Sequence, residues 1–147
     1  MSDLEARIRN LEDIAEIKRL KADYCLFADI WHDDPDRGRK FGALFTEDGS
    51  WDVGHKRCVG SAEIEEELMR LPDLLNLKLG LHIAVNPRID IDGDTATGTW
   101  VFMIPVIAKG AERPIWNVGM YFERYVRTLD GWRFQEVRLN TAFSAES

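Results

Sequence analysis

The first part of the chain carries apolar residues at a helical spacing. They recur every three or four positions with charged residues between them, at Ile8, Leu11, Ile14, Ile17, Leu20, Tyr24, Phe27 and Trp31. This period predicts one long amphipathic helix with Asp29 in its last turn. We expect the helix to end in the His32-Asp33-Asp34-Pro35 run, because the residue before a proline is pushed out of the helical region. Two shorter helices are predicted next, over residues 36–45 and from Ser61 to just before Pro72.

From residue 76 onward the pattern changes to long stretches rich in β-branched and aromatic residues. Four strands are predicted, over residues 81–94, 95–107, 115–127 and 132–143. Asp-Gly pairs at 92–93 and 130–131 mark two of the turns between them. Helices first and strands last predict the α+β class, with N-terminal helices packed on a strongly curved, mixed but mainly antiparallel sheet. We expect residues 1–147 to form a single domain, with a cone-shaped cavity between the sheet and the first helix.

One histidine interrupts an apolar run on the first of these strands. Alternation along residues 81–86 puts His82 and Asn86 on one face and three aliphatic residues on the other. A histidine that faces a cavity is either a structural residue that packs and hydrogen-bonds, or the proton-transfer group of a site. The alternation alone leaves both interpretations open. His55, by contrast, lies in a polar loop, where we expect it to be exposed.

The composition limits the kinds of partner. The formal net charge of −7 argues against a general affinity for nucleic acid or for a membrane surface. The sequence has no apolar run long enough to span a bilayer, and its polar start is unlike a secretory signal, so a cytoplasmic location is expected. Cys25 and Cys58 are too far apart to indicate a metal cluster, and the sequence lacks phosphate-loop, zinc-protease and serine-hydrolase motifs. We therefore expect a small hydrophobic substrate and neither a metal nor a cofactor.

Local motifs spread over nearly the whole chain carry a resemblance to one family. They are DIAEIKRLKADY at residues 13–24, LFTEDGSW at 44–51, HIAVNPRI at 82–89, DGD at 92–94, GMY at 119–121 and DGWRF at 130–134. In this order they resemble the SnoaL-like branch of the nuclear transport factor 2-like (NTF2-like) proteins, the branch that includes scytalone dehydratase and the bile acid 7α-dehydratase. The resemblance implies a cone-shaped fold. It does not imply one reaction, since dehydratases, cyclases, isomerases and non-catalytic binding proteins share that fold.

The same resemblance implies roles for individual residues. In the dehydratase-like members a tyrosine and an aspartate of the first helix meet a histidine of the sheet, and Tyr24, Asp29 and His82 stand at the matching positions. An aspartate bonded to one imidazole nitrogen makes the other nitrogen a base, and a tyrosine hydroxyl stabilises charge on an oxygen. The chain departs from scytalone dehydratase on the strand after Asp94, which lacks the second histidine expected in the pocket.

Further residues are predicted to shape the cavity and the outside of the sheet. We expect substrate contacts from Asn86, Arg138, Trp51, Trp100, Phe102 and Met120. The aromatic and apolar members would select a hydrophobic ring compound, such as a polyketide-like or steroid-like molecule. Residues 100–104 are apolar on both faces, and the helices cover only one face of the sheet. The uncovered face predicts a homo-oligomer, either a trimer or a dimer.

Together these features predict a cofactor-independent lyase of the dehydratase type, with His82 as the base. An enolate-forming cyclase or isomerase would use the same base, and a small-ligand binding module would keep the cavity without the chemistry. The complete set of Tyr24, Asp29 and His82 favours an enzyme. The sequence does not separate elimination from isomerisation, because both begin with the same proton transfer.

Overall fold

The computed structural model describes residues 2–31 and 33–147, which form three helices and seven strands. In chain order they are α1 (Asp3–Ala28), α2 (Arg37–Gly42), β1 (Phe45–Asp52), β2 (Arg57–Val59), α3 (Ser61–Leu74), β3 (Leu77–Gly80), β4 (Ile83–Asp92), β5 (Thr95–Ala108), β6 (Ile115–Thr128) and β7 (Gly131–Glu146). His32, part of the run predicted to end the first helix, lies outside the described residues. The four long strands predicted from the sequence correspond to β4 through β7.

The strands form one strongly curved sheet in the order β2-β1-β7-β6-β5-β3, with β4 also paired to β5. β1 runs parallel to β7, and every other pair of described strands is antiparallel. β3 and β4 lie end to end along the same edge of β5, since Gly80 pairs with Val106 and Ile83 with Met103. The register of β3 therefore continues into β4, and Leu81 and His82 fill the two positions between them. The predicted cone-shaped α+β fold is confirmed.

Helix α1 buries its predicted apolar stripe only along its C-terminal half. It begins with a capping box, in which Ser2 Oγ accepts from the Glu5 N–H and the Glu5 carboxylate accepts from the Ser2 N–H. The buried apolar positions are Ile17, Leu20, Tyr24 and Ala28, and the exposed ones include Leu4, Ile8 and Leu11. The helical period thus predicts the helix correctly, but it also predicts burial for the N-terminal half of the helix, where these apolar side chains are exposed.

The prediction that α1 runs into the 32–35 segment is wrong. Asp29 is the C-cap of the helix, with an extended backbone (ψ 143°), and its N–H donates to the Cys25 carbonyl. The next residue, Ile30, forms an antiparallel bridge with Gly80 through two backbone hydrogen bonds, at N···O distances of 2.7 and 2.8 Å. Strand pairing needs an extended backbone, so this bridge ends the helix at Ala28.

Helices α2 and α3 pack against each other, and α3 packs against β1. α3 continues through Pro72 to Leu74, whereas the sequence predicts an end before Pro72. The proline removes one N–H from the last turn without ending the helix. In the described part of the chain, no helix combines the length and the apolar character needed to cross a bilayer.

A buried ion pair lies in the aromatic core between α1 and the sheet. Lys21 Nζ is 2.7 Å from Glu123 Oε2 and 3.2 Å from the centroid of the Tyr121 ring. Glu123 also accepts from the Tyr125 hydroxyl at 2.7 Å, and that hydroxyl accepts from the indole N–H of Trp100 at 3.1 Å. Burial lowers the pKa of Lys21, an effect that the Glu123 charge opposes. Both charges therefore have a hydrogen-bonded partner, which a buried charge requires.

Candidate active site

A cavity of about 240 Å³ lies between the C-terminal end of α1, helix α3 and the inner face of the sheet. Most of its lining is apolar, including Ala28, Trp51, Leu68, Leu71, Phe102, Ile104, Val106 and Leu139. The polar lining residues are Tyr24, Arg37, His55, His82, Asn117 and Thr141. A few polar groups that converge in an apolar pocket are typical of a small-molecule site. Across residues 2–31 and 33–147, no group of three or more His, Cys, Asp and Glu side chains could hold a metal ion.

His82 lines this cavity and is held by Asp29. One carboxylate oxygen, Asp29 Oδ1, accepts from the backbone N–H of His82 at 2.6 Å and lies 3.1 Å from ring atom Nδ1. The prediction that these two side chains come within hydrogen-bonding reach is confirmed. When Nδ1 donates to the carboxylate, the neutral ring has no proton on Nε2, so Nε2 is an acceptor. Nε2 has no hydrogen-bond partner among the described residues, which leaves it available to a ligand.

The backbone fixes the relative position of this pair. The bridge between Ile30 and Gly80 lies one residue after Asp29 and two residues before His82. The N–H of Leu81 donates to the Pro105 carbonyl at 3.1 Å, which ties the same segment to β5. The side chains of Asp29 and His82 are 13% and 18% exposed. Their interaction is therefore less screened by water than that of a surface pair.

Tyr24 reaches the cavity from α1 with its hydroxyl already engaged on one side. The hydroxyl accepts from the indole N–H of Trp51 at 2.9 Å. Burial raises the pKa of Tyr24 above its ordinary value, so the hydroxyl keeps its proton at physiological pH. A hydroxyl that keeps its proton still has that proton to donate and cannot act as a base.

His55 is exposed, as predicted, but it also lines the cavity, which the sequence did not indicate. Its Nε2 lies 3.0 Å from Oε1 of Glu67, a fully buried carboxylate that also binds Arg70 at 2.9 Å and Lys56 at 3.3 Å. Burial alone would raise the pKa of Glu67. The hydrogen bonds from His55, Arg70 and Lys56 outweigh that effect and lower the pKa to about 2. A buried glutamate on an amphipathic helix has no local sequence signal that separates it from its exposed neighbours.

Arg37 is a second lining residue that the sequence did not indicate. It is the first residue of α2 and is 7% exposed. Its Nη1 donates to the carbonyls of Phe27 and Ala28, at 3.1 and 3.4 Å, at the C-terminal end of α1. Burial lowers the pKa of Arg37, and the nearby carboxylates of Asp34 and Asp29 oppose that shift. In sequence Arg37 belongs to a run of basic residues and glycines that resembles a solvated helix.

The structure brings two of the six predicted substrate-contacting residues into the cavity, Trp51 and Phe102. Trp100 is 5% exposed and belongs to the core, where it donates to Tyr125. Met120 and Arg138 line a groove on the opposite face of the sheet, because side chains alternate between faces along each strand. There the Arg138 guanidinium lies 4.5 Å from the centroid of the Phe122 ring. This face is the one predicted to form an oligomer interface, which stays a prediction.

Asn86 leaves the cavity face because of a β-bulge. β4 pairs with β5 in one register up to Val85 and in a register shifted by one residue from Arg88. Asn86 lies within this bulge, with a φ of 53° and an exposed side chain. The extra residue reverses the alternation beyond it, so Ile89 and Ile91 pack against the core.

Comparisons with known proteins show what the chain as a whole is similar to. The model of the SnoaL-like domain family matches residues 9–138. An uncharacterised protein of Mycobacterium tuberculosis is 29% identical over 133 residues, which cover 86% of this chain and 83% of that protein. Among solved structures, a candidate scytalone dehydratase of Novosphingobium aromaticivorans has a TM-score of 0.79 and 20% identity, and the match covers 94% of this chain and 89% of that one. A hexachlorocyclohexane dehydrochlorinase of Novosphingobium barchaimii has a TM-score of 0.79 and 17% identity, with 99% and 94% covered.

Proposed function

Because the chain belongs to the SnoaL-like domain family, we propose that it is a lyase of the dehydratase type that works without a cofactor. A hydrophobic ring compound occupies the cavity, and His82 removes a proton from a carbon next to a carbonyl group. Water then leaves from the neighbouring carbon. The names of two solved neighbours support this reaction class, since a dehydratase removes water and a dehydrochlorinase removes hydrogen chloride. Both reactions are eliminations.

The observation that carries the proposal is the contact of Asp29 Oδ1 with both the backbone N–H and Nδ1 of His82. The carboxylate fixes the tautomer in which Nε2 is the base. Once Nε2 has taken a proton, the carboxylate lies beside the resulting imidazolium and stabilises its charge. No described cation is hydrogen-bonded to Asp29. The Arg37 guanidinium is close enough to interact with its charge but donates to the Phe27 and Ala28 carbonyls instead, so the imidazole is the hydrogen-bonded partner of the carboxylate.

Tyr24 supplies a hydrogen bond to an oxygen of the substrate. Its hydroxyl oxygen accepts from Trp51, and its own proton is free to be donated to the carbonyl on which enolate charge develops. The proton held by His82 then passes to the departing hydroxyl, so one carbon–oxygen bond breaks and one water forms. The enolate electron pair becomes the new carbon–carbon double bond, and Asp29 and His82 return to their starting state.

The test uses a panel of β-hydroxy ketones and related ring alcohols, with water loss followed by the absorbance of the conjugated product. Glutamine keeps a polar side chain of similar size but cannot accept and release a proton. His82→Gln should therefore leave circular dichroism and melting temperature nearly unchanged while lowering turnover by about 10²–10⁴-fold, the usual contribution of a positioned general base. Turnover retained in His82→Gln would remove His82 as the base, whereas turnover absent from the wild-type protein across the panel would move the assignment to a small-ligand binding protein.

A second measurement separates elimination from isomerisation or cyclisation. The same panel is incubated with the wild-type protein in deuterium oxide, and the masses of the products are measured by mass spectrometry. Both reaction classes remove the same proton and exchange it with solvent, but only elimination produces a compound that has lost water. Deuterated product without any loss of water would replace the lyase with an isomerase or a cyclase.

A further inference from the structure

The cavity lining carries an unusual distribution of charge. Although the whole chain has a net charge of −7, the described lining contains no aspartate or glutamate. Its one permanently charged residue is Arg37, which is 7% exposed. A buried guanidinium loses the hydration that it has in water, so the fold retains it at a cost unless its donors are used.

The donors of Arg37 are only partly used within the protein. Nη1 donates to the Phe27 and Ala28 carbonyls, at the negative end of the α1 dipole. A guanidinium has five N–H groups, and those of Nε and Nη2 have no hydrogen-bond partner among the described residues. Among the described residues, the Tyr121 hydroxyl oxygen is the one side-chain polar atom that is both inaccessible to solvent and without a hydrogen-bond partner. Nε and Nη2 of Arg37 have no partner among them either, so both must be at least partly accessible. The unused N–H groups of Arg37 are therefore accessible, on a side chain that lines the cavity.

We infer that Arg37 binds an anionic oxygen group of the substrate, so the compound that enters the cavity is an apolar ring bearing a carboxylate or an enolate-type oxygen. Nε and Nη2 form the edge of the guanidinium that binds two oxygens of a carboxylate side by side. The surrounding leucine, isoleucine and aromatic side chains pack against the ring. This inference deepens the proposed function by naming the substrate class of the same cavity.

A binding experiment tests the inference without any turnover. Naphthoate and naphthamide have nearly the same shape, and only the first is an anion. Titration calorimetry should show naphthoate binding to the wild-type protein at least about tenfold more tightly, since a charge-assisted bidentate pair exceeds a neutral hydrogen bond by roughly 1–2 kcal/mol. Arg37→Gln should bring the two affinities close to equal.

Controls distinguish Arg37 from other cations. Arg39→Gln, on the same helix but with its side chain 66% exposed, should keep the wild-type preference. The preference should also persist in His55→Gln, whose side chain carries no charge, so that imidazole would not account for it. If Arg37→Gln fails to fold because it loses the α1 carbonyl contacts, Arg37→Lys retains the charge and should keep a preference for naphthoate.

Several outcomes would overturn the inference. They are equal affinity of the two probes for the wild-type protein, absence of naphthoate binding, and a preference that survives in folded Arg37→Gln. Repeating the titration with His82→Gln separates this inference from the proposed reaction. A preference for naphthoate that is retained in that variant supports the anion site even if no substrate is turned over. If the wild-type protein eliminates water but binds naphthamide more tightly than naphthoate, the proposed reaction stands and the anion site is wrong.

Discussion

Two carboxylate–imidazole pairs adjoin the same cavity, and they are built differently. Asp29 lies 3.1 Å from Nδ1 of His82, and His82 is the one described side chain hydrogen-bonded to it. Glu67 lies 3.0 Å from Nε2 of His55 but also binds Arg70 and Lys56. The carboxylate of Asp29 is 13% exposed, whereas that of Glu67 is fully enclosed.

The difference lies in how much negative charge each carboxylate leaves for its imidazole. Lys56 and Arg70 already compensate the charge of Glu67, so the carboxylate has little charge left to act on His55. These ion pairs instead tie helix α3 to the loop between β1 and β2. Among the described residues Asp29 has no ion pair with lysine or arginine, and Arg37 interacts with it only at longer range, so most of its charge is left to act on His82. A short contact between a carboxylate and an imidazole does not by itself mark a base. If His82 is the base as proposed, the number of other cations on the carboxylate is what distinguishes its pair from the structural Glu67 cluster.

The largest expected effect is on turnover, in Asp29→Asn. Asparagine keeps the shape of the side chain, but its amide can donate to Nδ1 and so favour the tautomer in which Nε2 carries the proton. Turnover should fall by about 10²–10⁴-fold. The matched control is Glu67→Gln, whose turnover per folded molecule should stay close to wild type. A loss in Glu67→Gln as large as that in Asp29→Asn would remove the distinction between the two pairs.

The next effect is on stability, in Glu67→Gln. Glutamine places an amide group against Arg70 and Lys56 and removes the charge that binds them. Because both cationic partners are nearly half exposed, the expected cost is about 1–3 kcal/mol, below that of a fully buried pair. Urea unfolding measures it. The neighbouring Glu66→Gln, on the exposed side of α3, should stay within about 0.5 kcal/mol of wild type, and equal midpoints for the two variants would contradict the structural role of Glu67.

The stability difference between wild type and Glu67→Gln should depend on pH in one direction. The folded state lowers the pKa of Glu67 from 4.5 to about 2, so the folded protein holds the carboxylate charged where the unfolded chain begins to protonate it. The stabilisation is therefore complete above about pH 5 and is lost as pH falls toward about 2. Urea midpoints of the two proteins should converge over that window. A constant difference between them would show that the charge of Glu67 is not what stabilises α3.

Sequence patterns located the helices and the long strands, and the family resemblance singled out the Asp29–His82 pair, but neither revealed the contact that positions the pair. The helical period of α1 is local, whereas the Ile30–Gly80 bridge that ends the helix joins segments far apart in the chain. A single bulge residue moved Asn86 off the cavity face, and strand alternation cannot reveal where a bulge lies. Such features are set by the pairing of distant strands and appear only once the fold is known.

Arg37 and Glu67 were not identified from the sequence for a different reason. Each is a charged residue on a short or amphipathic helix, where charge ordinarily marks the solvated side. Their burial comes from the packing of α2 against α1 and α3, and of α3 against β1, which no single window of the sequence contains. The family resemblance singled out Tyr24 and His82, which lie in its motifs, and Asp29, which follows the first motif, whereas Arg37 and Glu67 lie outside all of them.

The smallest expected effect is on turnover in His55→Gln. This variant tests whether the histidine of the Glu67 cluster takes part in the reaction. Nε2 of His55 is engaged with Glu67, and the side chain is 44% exposed, so water competes for the remaining nitrogen. Glutamine can keep a hydrogen bond to Glu67, and the ion pairs with Arg70 and Lys56 remain. Turnover should therefore change by less than about threefold, far below the contribution of a positioned acid or base. Measuring kcat for His55→Gln and His82→Gln on the same substrate decides the matter, because equal losses would make His55 a second proton carrier of the cavity.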